Sequence, residues 1–282
     1  MNTSKDWYTL VANGFRRIKP FLPFQRLKKE RDCVPIIIYQ MGKVGSTSIL
    51  QALNEYGLKP VYHVHRMNPT YIEEVRKEHI TSNHVPPNDS LGLELYKTIC
   101  LKKKNAKIIT IVREPISRNI SAFFQNFNRF TGLDYSKSHL EIKKLIEIFL
   151  SEYKHDVPLT WFDKEIKQTL GIDIYQHPFP KEKGYLTIRK DCFNLLILKL
   201  ELPDTLKQEV ISEFLEVNDL FLQRKNVGQE KVYSETYRKF RHLVHLPRPY
   251  LEKMLYSKYT RHFYSDSEIE SILSYWLRER VI

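Results

Sequence analysis

The sequence has few cysteines and no long apolar segment. Only three of its 282 residues are cysteine, they lie far apart at Cys33, Cys100 and Cys192, and their number is odd. This usage predicts free thiols in a reducing compartment and not a disulfide framework. No spacing of cysteine and histidine is typical of a zinc site. No apolar run approaches the length of a membrane span, and the N-terminus lacks the apolar core of a secretory signal, so we expect a cytoplasmic protein of bacterial type without a signal anchor.

Positive charge is what the chain has in excess. The net charge is +12 and the pI is near 9.4, which favours an anionic partner such as a nucleotide, an acidic glycan, a membrane surface or nucleic acid. No RNA-binding, zinc-finger or helix-turn-helix signature is present, so we expect no nucleic acid partner. Hydrophobic residues make up 42% of the chain, enough for a large core at this length.

Basic and aromatic residues alternate in residues 1–33, where Pro20 and Pro23 interrupt any long helix. One interpretation is peripheral contact with an anionic membrane, which would be the inner membrane of a bacterium. The other, which we favour, is an N-terminal arm that packs on the domain. We find no internal repeat and no clear linker, and we therefore predict one domain over 34–282, with a donor-binding core at 34–130 and a helical, acceptor-binding part at 131–282.

A turn with two glycines and a lysine follows the first apolar run. The pattern predicts a buried strand at 34–39, a helix at 46–56 and a second strand at 60–65, which together form a parallel βαβ unit. Glycines let the backbone approach an anion closely, and a helix N-terminus adds positive potential. The turn is therefore a predicted phosphate site, formed by Gly42, Lys43, Val44, Gly45, Ser46, Thr47 and Ser48.

A second polar motif follows a second buried strand, predicted at 107–112. Arg113 ends this strand, Pro115 begins a predicted helix at 115–126, and Ser121 lies two turns into it. Ligands of parallel sheets bind at the carboxyl ends of the strands, so Arg113 is expected to direct its planar fork toward the same crevice as the loop.

Both motifs resemble those of one enzyme family. The loop is not a Walker A motif, because its lysine precedes the second glycine. The order Lys-x-Gly-Ser-Thr after a strand resembles the 5′-phosphosulfate loop of the sulfotransferases that use 3′-phosphoadenosine 5′-phosphosulfate. The Arg-x-Pro-x-x-Arg-x-x-Ser pattern resembles the site where that family holds the 3′-phosphate of the donor, and this likeness assigns the role to Arg113 and Ser121, with Arg118 as a further candidate. Lys225, Asn226 and Gly228 resemble, more loosely, the family's C-terminal loop over the same phosphate.

Later segments resemble a bacterial branch of the family, the capsular polysaccharide synthesis proteins. The segments are Trp161-Phe162-Asp163, Pro178-Phe179-Pro180, the run from Leu195 to Glu201, and His262-Phe263-Tyr264-Ser265. The resemblance implies a three-layer, P-loop-like α/β fold, with a central parallel sheet flanked by helices and a helix-rich C-terminal half. It also implies a glycan or glycolipid acceptor.

Sulfuryl transfer needs a positive group that stabilises the leaving phosphate and a general base that removes the acceptor proton. Lys43 is expected to stabilise the oxygens of the leaving phosphate. The base is expected at the end of the second strand, where His63 and His65 share a face, with His65 slightly favoured; His84, Glu94 and Asp163 are the alternatives. The chemistry requires no metal.

Other classes of function stay open from the sequence. A catalytically inactive nucleotide-binding or capsule-assembly protein would keep the same fold. A small-molecule kinase would want a complete Walker A lysine and a carboxylate for Mg²⁺, and neither is evident.

Overall fold

The computed structural model describes residues 33–132, 140–222 and 233–277. The predicted phosphate residues Lys225, Asn226 and Gly228 lie outside these ranges, as does almost all of the N-terminal arm. The larger of the two units into which the chain divides, Val34–Ile282, contains every element described below.

The first half of the described chain alternates strands and helices. Its strands and helices are β1 (Ile36–Tyr39), α1 (Ser46–Glu55), β2 (Val61–Val64), α2 (Pro69–Thr81), α3 (Ser90–Leu95), β3 (Ala106–Val112), α4 (Pro115–Gln125) and α5 (Phe127–Thr131). A π-helical turn, Tyr96–Cys100, extends α3. The predicted elements are present, with ends that differ by a few residues. α2 begins at Pro69, because proline suits the first turn of a helix and the Asn68 side chain caps it by accepting from the Thr70 amide.

The second half is mostly helical, as predicted. Its elements are α6 (Ile142–Ser151), α7 (Val157–Phe162), α8 (Gln168–Leu170), β4 (Tyr185–Lys190), β5 (Phe193–Lys199), α9 (Asp204–Leu215), α10 (Ser234–Leu243), α11 (Arg248–Leu255), α12 (Lys258–Phe263) and α13 (Asp266–Leu277). α7 and α8 are not one continuous α-helix, because the π-helical segment Asp163–Lys167 separates them. Such segments are rare and occur often at functional sites.

The five strands form one sheet in the order β2-β1-β3-β5-β4. β1 is parallel to both β2 and β3, and β3 is parallel to β5. β4 is antiparallel to β5, which is typical of an edge strand on a mostly parallel sheet. The α/β class and the largely parallel central sheet are therefore confirmed. Because the carboxyl ends of β1, β2, β3 and β5 meet at one edge, the segments that follow them are brought together.

Aromatic side chains fill the core beside this edge. The Phe123 ring lies 5.4 Å from Phe149 and 6.1 Å from Phe240, which joins α4 to α6 and α10. Phe124, Phe127, Trp161 and Phe162 are also buried, whereas Tyr185 is half-buried. Within the described ranges, no helix is both long and apolar enough to cross a membrane.

Candidate functional site

The loop between β1 and α1 has a backbone suited to an anion. Gly42, Lys43 and Gly45 have φ angles of 82°, 64° and 79°, in the left-handed region. Gly45 is the N-terminal cap of α1, and no side chain binds the free amides of that helix end at the cap. Successive amides in such turns form a concave anion site, and the helix adds its positive end. A Cβ at Gly45 would lie 2.5 Å from the Leu200 Cδ1, so a larger residue would also have to displace that side chain.

The side chain of Gln40 organises the base of this loop. Gln40 is fully buried directly after β1, and its Oε1 accepts a hydrogen bond from the Gly42 amide. Its Nε2 lies 2.9 Å from Ser46 Oγ, 3.0 Å from His63 Nε2 and 3.0 Å from His65 Nδ1. One amide therefore connects the loop, the start of α1 and both candidate histidines. No motif in the sequence predicts a role for this residue.

The hydrogen-bond partners decide which nitrogens of the two histidines carry protons. The Gln40 amide nitrogen has two hydrogens and lies within 3.0 Å of three polar atoms, so it can donate to only two of them. His63 Nε2 lies 3.0 Å from the Gln40 amide nitrogen, which can only donate, so His63 Nε2 is the acceptor of that hydrogen bond. The same nitrogen contacts Ser46 Oγ at 2.9 Å. His65 Nδ1 has an alternative partner, the backbone oxygen of Gln40 at 3.0 Å, to which it donates. The Nε2 of a neutral His65 is then unprotonated, as a general base requires.

Both histidines are held in the neutral form. Burial lowers the pKa of His63 to about 4, with a further contribution from His65. Desolvation also lowers the pKa of His65; the bond to Gln40 opposes this shift, and the charges of Arg66, Arg118 and Lys43 add to it. The His65 side chain is nevertheless exposed, and its ring lies 3.8 Å from the position of a Cβ on Gly42. Of the two, His65 is therefore the histidine that a substrate at the loop can reach.

Arg118 supports the loop from inside the protein. It is 5% exposed, its Nη2 donates to the Met41 oxygen at 2.8 Å, and its Nε donates to the Gly42 oxygen at 3.2 Å. Its Nη1 donates to Tyr153 Oη. Its donors thus bind the protein itself, so the structure uses this arginine to position the loop carbonyls.

Arg113 and α4 face the loop. Arg113 Nη1 donates to the Lys43 oxygen at 2.8 Å, and Lys43 Nζ donates to Gln125 Oε1 at 2.8 Å. Ser117, Ser121 and Gln125 lie four residues apart, on one face of α4. The half-buried hydroxyl of Ser121 therefore belongs to the helix face that the loop lysine contacts.

A cavity of about 620 Å³ opens beside Arg113. Arg113, Ser117, Leu200, Arg241 and Trp276 are among its lining residues. Leu200 lies against Gly45, so the cavity adjoins the loop. Its size is that of an ordinary small-molecule pocket.

Side chains from the second half of the chain hold the segments that follow β2 and β3 in place. Trp161 Nε1 donates to the His65 oxygen at 2.9 Å, and the hydroxyl of Tyr259 binds both the amide and the oxygen of Arg113. Glu165, in the π-helical segment, accepts bonds at Oε2 from the Met67 and Asn68 amides and from Tyr39. These three side chains position the segments that carry His65 and Arg113.

Burial sets the ionisation of Glu165. The residue is fully inaccessible to solvent, and desolvation raises its pKa to about 7, although the three donors oppose the shift. Its Oε1 is buried without a hydrogen-bond partner. The contacts of Glu165 join positions 97 to 126 residues apart, and no local pattern in the sequence could have revealed them.

The remaining predicted site residues differ in their surroundings. Val44 is buried, Thr47 is exposed at the first turn of α1, and Ser48 Oγ bonds to the Gly45 oxygen. Of the alternative bases, Asp163 is 3.5 Å from Lys258, and His84 and Glu94 each have a buried side-chain atom without a partner. In the part of the chain that the structure describes, no group of three or more His, Cys, Asp or Glu side chains could hold a metal ion.

Comparison with known proteins links the second half of the chain to one family. No curated protein and no solved structure matches the chain. Residues 132–265 match the NKWYS family model, described as "Putative capsular polysaccharide synthesis protein". This region covers just under half of the chain, and it contains Trp161, Glu165 and Tyr259 but not the glycine loop, the histidines or Arg113. Over that region, the chain is similar to proteins of capsular polysaccharide synthesis.

Proposed function

We propose that this protein is a sulfotransferase, which moves a sulfuryl group from 3′-phosphoadenosine 5′-phosphosulfate to a hydroxyl of a glycan or glycolipid. The sheet and its helices would form the three-layer, P-loop-like arrangement of such enzymes. The match to capsular polysaccharide synthesis supports a saccharide acceptor.

One observation carries the proposal. Arg113, from the second motif, binds the backbone of Lys43 in the first motif, and Lys43 reaches the face of α4 that bears Ser121. In this proposal, two anion-binding groups lie at one crevice: the amide-rich loop and the Arg113–Ser121 pair. A ligand with phosphates at both ends of a nucleoside suits this arrangement better than a linear triphosphate. The adjoining cavity of about 620 Å³ has room for the nucleoside part.

The transfer itself would use positioning and charge stabilisation. The acceptor oxygen forms a bond to sulfur while the bond from sulfur to the bridging phosphate oxygen breaks, and the electron pair stays on the leaving 5′-phosphate. Lys43 stabilises that oxygen once its ammonium turns from Gln125 toward the ligand, and the loop amides hold the phosphate.

His65 would remove the acceptor proton. Its Nδ1–H is engaged by the Gln40 oxygen, so the unprotonated Nε2 takes the proton of the attacking hydroxyl. His63, whose Nε2 is an acceptor in the Gln40 network, would position the loop and not act as the base.

Calorimetry with 3′-phosphoadenosine 5′-phosphate tests the donor site. The wild type should bind this product, and Arg113→Ala should weaken binding about tenfold to a hundredfold, since hydrogen bonds to charged groups contribute about 1.5–3 kcal/mol. Arg76→Ala is the matched control, because it removes an equal charge from an exposed position on α2. Absence of binding by the wild type would overturn the assignment.

Turnover separates an enzyme from a binding protein. Donor consumption should appear when glycans or glycolipids with free hydroxyls are added, and His65→Asn should reduce it. Tight nucleotide binding without turnover on any acceptor would instead support the capsule-assembly alternative.

A further inference from the structure

A second cavity lies at the opposite edge of the sheet from the histidines. Its volume is about 720 Å³, and it runs between α9 and the face of β4 and β5. We call it the β4 groove, lined by Pro180, Lys183, Tyr185, Leu186, Thr187, Arg189, Asn194, Val210, Glu213, Phe214 and Glu216. β2 and β4 are the two edge strands, so the groove is about 19 Å from the histidine strand at the usual spacing of 4.8 Å per strand. It is therefore separate from the loop and from the cavity beside Arg113.

The groove combines an aromatic side with hydrogen-bonding groups. Tyr185, Thr187 and Arg189 alternate along β4 and so share one face, and Asn194 lies opposite Arg189 in the strand register. Tyr185 is half-buried, with Lys183 Nζ 4.2 Å from its ring centre. An aromatic ring can pack on the C–H face of a sugar, while hydroxyl, amide and guanidinium groups bind its hydroxyls.

Two features favour a neutral ligand that donates hydrogen bonds. The charged groups at the groove nearly balance: Lys183 and Arg189 stand against Glu213 and Glu216, and Glu216 is also paired with Lys107 at 2.8 Å. The excess is a single positive charge, so the groove offers little to attract a polyanion. Asn194 Oδ1 is buried without a hydrogen-bond partner. A buried acceptor of this kind is costly unless a donor reaches it, and a sugar hydroxyl can supply one.

The β4 groove lies wholly within the region that matches the capsular polysaccharide family. Every lining residue lies within 132–265, the region that matches the capsular polysaccharide family, whereas the loop, the histidines and Arg113 lie outside it. We infer that the β4 groove binds a neutral stretch of a sugar chain at a distance from the site of transfer. The inference rests on the acceptor part of the proposed function and not on its donor chemistry.

Donor-free binding measurements test this site alone. Saturation-transfer difference NMR on the full chain, with neutral hexose and N-acetylhexosamine oligosaccharides at millimolar concentration, should detect binding. Arg189→Ala should weaken the affinity about tenfold or more, since the guanidinium donates to the ligand. Tyr185→Ala should do the same. Because Arg189 is exposed, its variant serves even where Tyr185→Ala fails to fold.

Lys190→Ala is the matched control. It removes an equal charge from the next residue of β4, whose side chain points to the other face and bonds the Gly171 oxygen. Oligogalacturonate, an acidic oligosaccharide, is the comparison ligand. The inference would be overturned if no neutral oligosaccharide bound, if only oligogalacturonate bound, or if Lys190→Ala weakened binding as much as Arg189→Ala. The NMR measurement contains no nucleotide, so its result does not depend on the donor site. Failure of the sulfotransferase proposal would instead be seen in the calorimetry with 3′-phosphoadenosine 5′-phosphate.

Discussion

At the scale of single residues, the site depends on buried polar groups whose importance lies in distant partners. The glycines, Lys43 and Arg113 could be predicted from the sequence, because each belongs to a short motif that follows an apolar run. Gln40 stands in the same stretch, yet its side chain bonds to His63 and its backbone oxygen to His65, which are 23 and 25 positions away. Such contacts arise only after β1 and β2 pair, and no local pattern encodes them.

Replacing Glu165 with glutamine should change how stability depends on pH. The pKa of Glu165 is raised from 4.5 to about 7 in the folded protein, so the folded state retains a proton that the unfolded state releases. Stability contributed by the neutral form is therefore present below pH 4.5 and is lost as the pH rises to 7, by roughly 3 kcal/mol. In Glu165→Gln the free energy of unfolding should no longer fall between pH 4.5 and 7. Urea unfolding at several pH values would measure it. Glu182→Gln, at an exposed position, is the control; an unchanged slope in Glu165→Gln would contradict the prediction.

The proposed base sets a second pH dependence. A general base works in its unprotonated form, and the pKa of His65 is lowered from 6.5. Turnover should therefore persist below pH 6.5 and fall only on the acid side of that value. His65→Asn should reduce kcat about a hundredfold or more, while the exposed His245→Asn should not. A wild-type acid limb above pH 6.5, or full activity of His65→Asn, would count against the role.

At the scale of elements, apolar runs predicted most of the strands and helices, and the exceptions have physical causes. β1, β3 and β5 are buried runs rich in isoleucine, leucine and valine, so their pattern was unambiguous. The direction of β4 was not predictable, because a short partly exposed strand fits either orientation. The π-helical segment Asp163–Lys167 carries Glu165, whose bonds to the Met67 and Asn68 amides are long-range contacts that periodicity does not report.

Gly92→Ala should disturb the packing of α3 against the segment that carries His65. A Cβ at position 92 would lie 1.9 Å from the Arg66 backbone oxygen, which cannot turn away as a flexible side chain would. We expect a loss of about 1–3 kcal/mol of stability from this overpacking, together with lower turnover, because Arg66 adjoins His65. Thermal and urea unfolding measure the first effect. Lys97→Ala, at an exposed position of the following π-helical turn, should change neither quantity; wild-type stability of Gly92→Ala would contradict the prediction.

At the scale of the whole molecule, the two halves share one sheet. β3 belongs to the half with the donor motifs, and it pairs along its full length with β5 from the half that matches the capsular polysaccharide family. The sequence predicted both halves as one domain but could not give the strand order, because pairing partners of a parallel sheet are set by long-range packing. This order explains how helices of the matched region come to fix His65 and Arg113.

Unfolding of this shared structure should be cooperative, and Phe149→Ala tests it. Phe149 is fully buried on α6, and its ring lies 5.4 Å from Phe123 of α4 and 5.5 Å from Phe240 of α10. Removing it should cost about 3–5 kcal/mol. Far-ultraviolet circular dichroism and tryptophan fluorescence should shift to lower denaturant together, because the described tryptophans lie outside this cluster: Trp161 bonds the β2 end, and Trp276 lies on α13. Glu147→Ala, exposed on the same helix, is the control. Separate midpoints for the two signals in the wild type would mean that the helical half unfolds without the sheet.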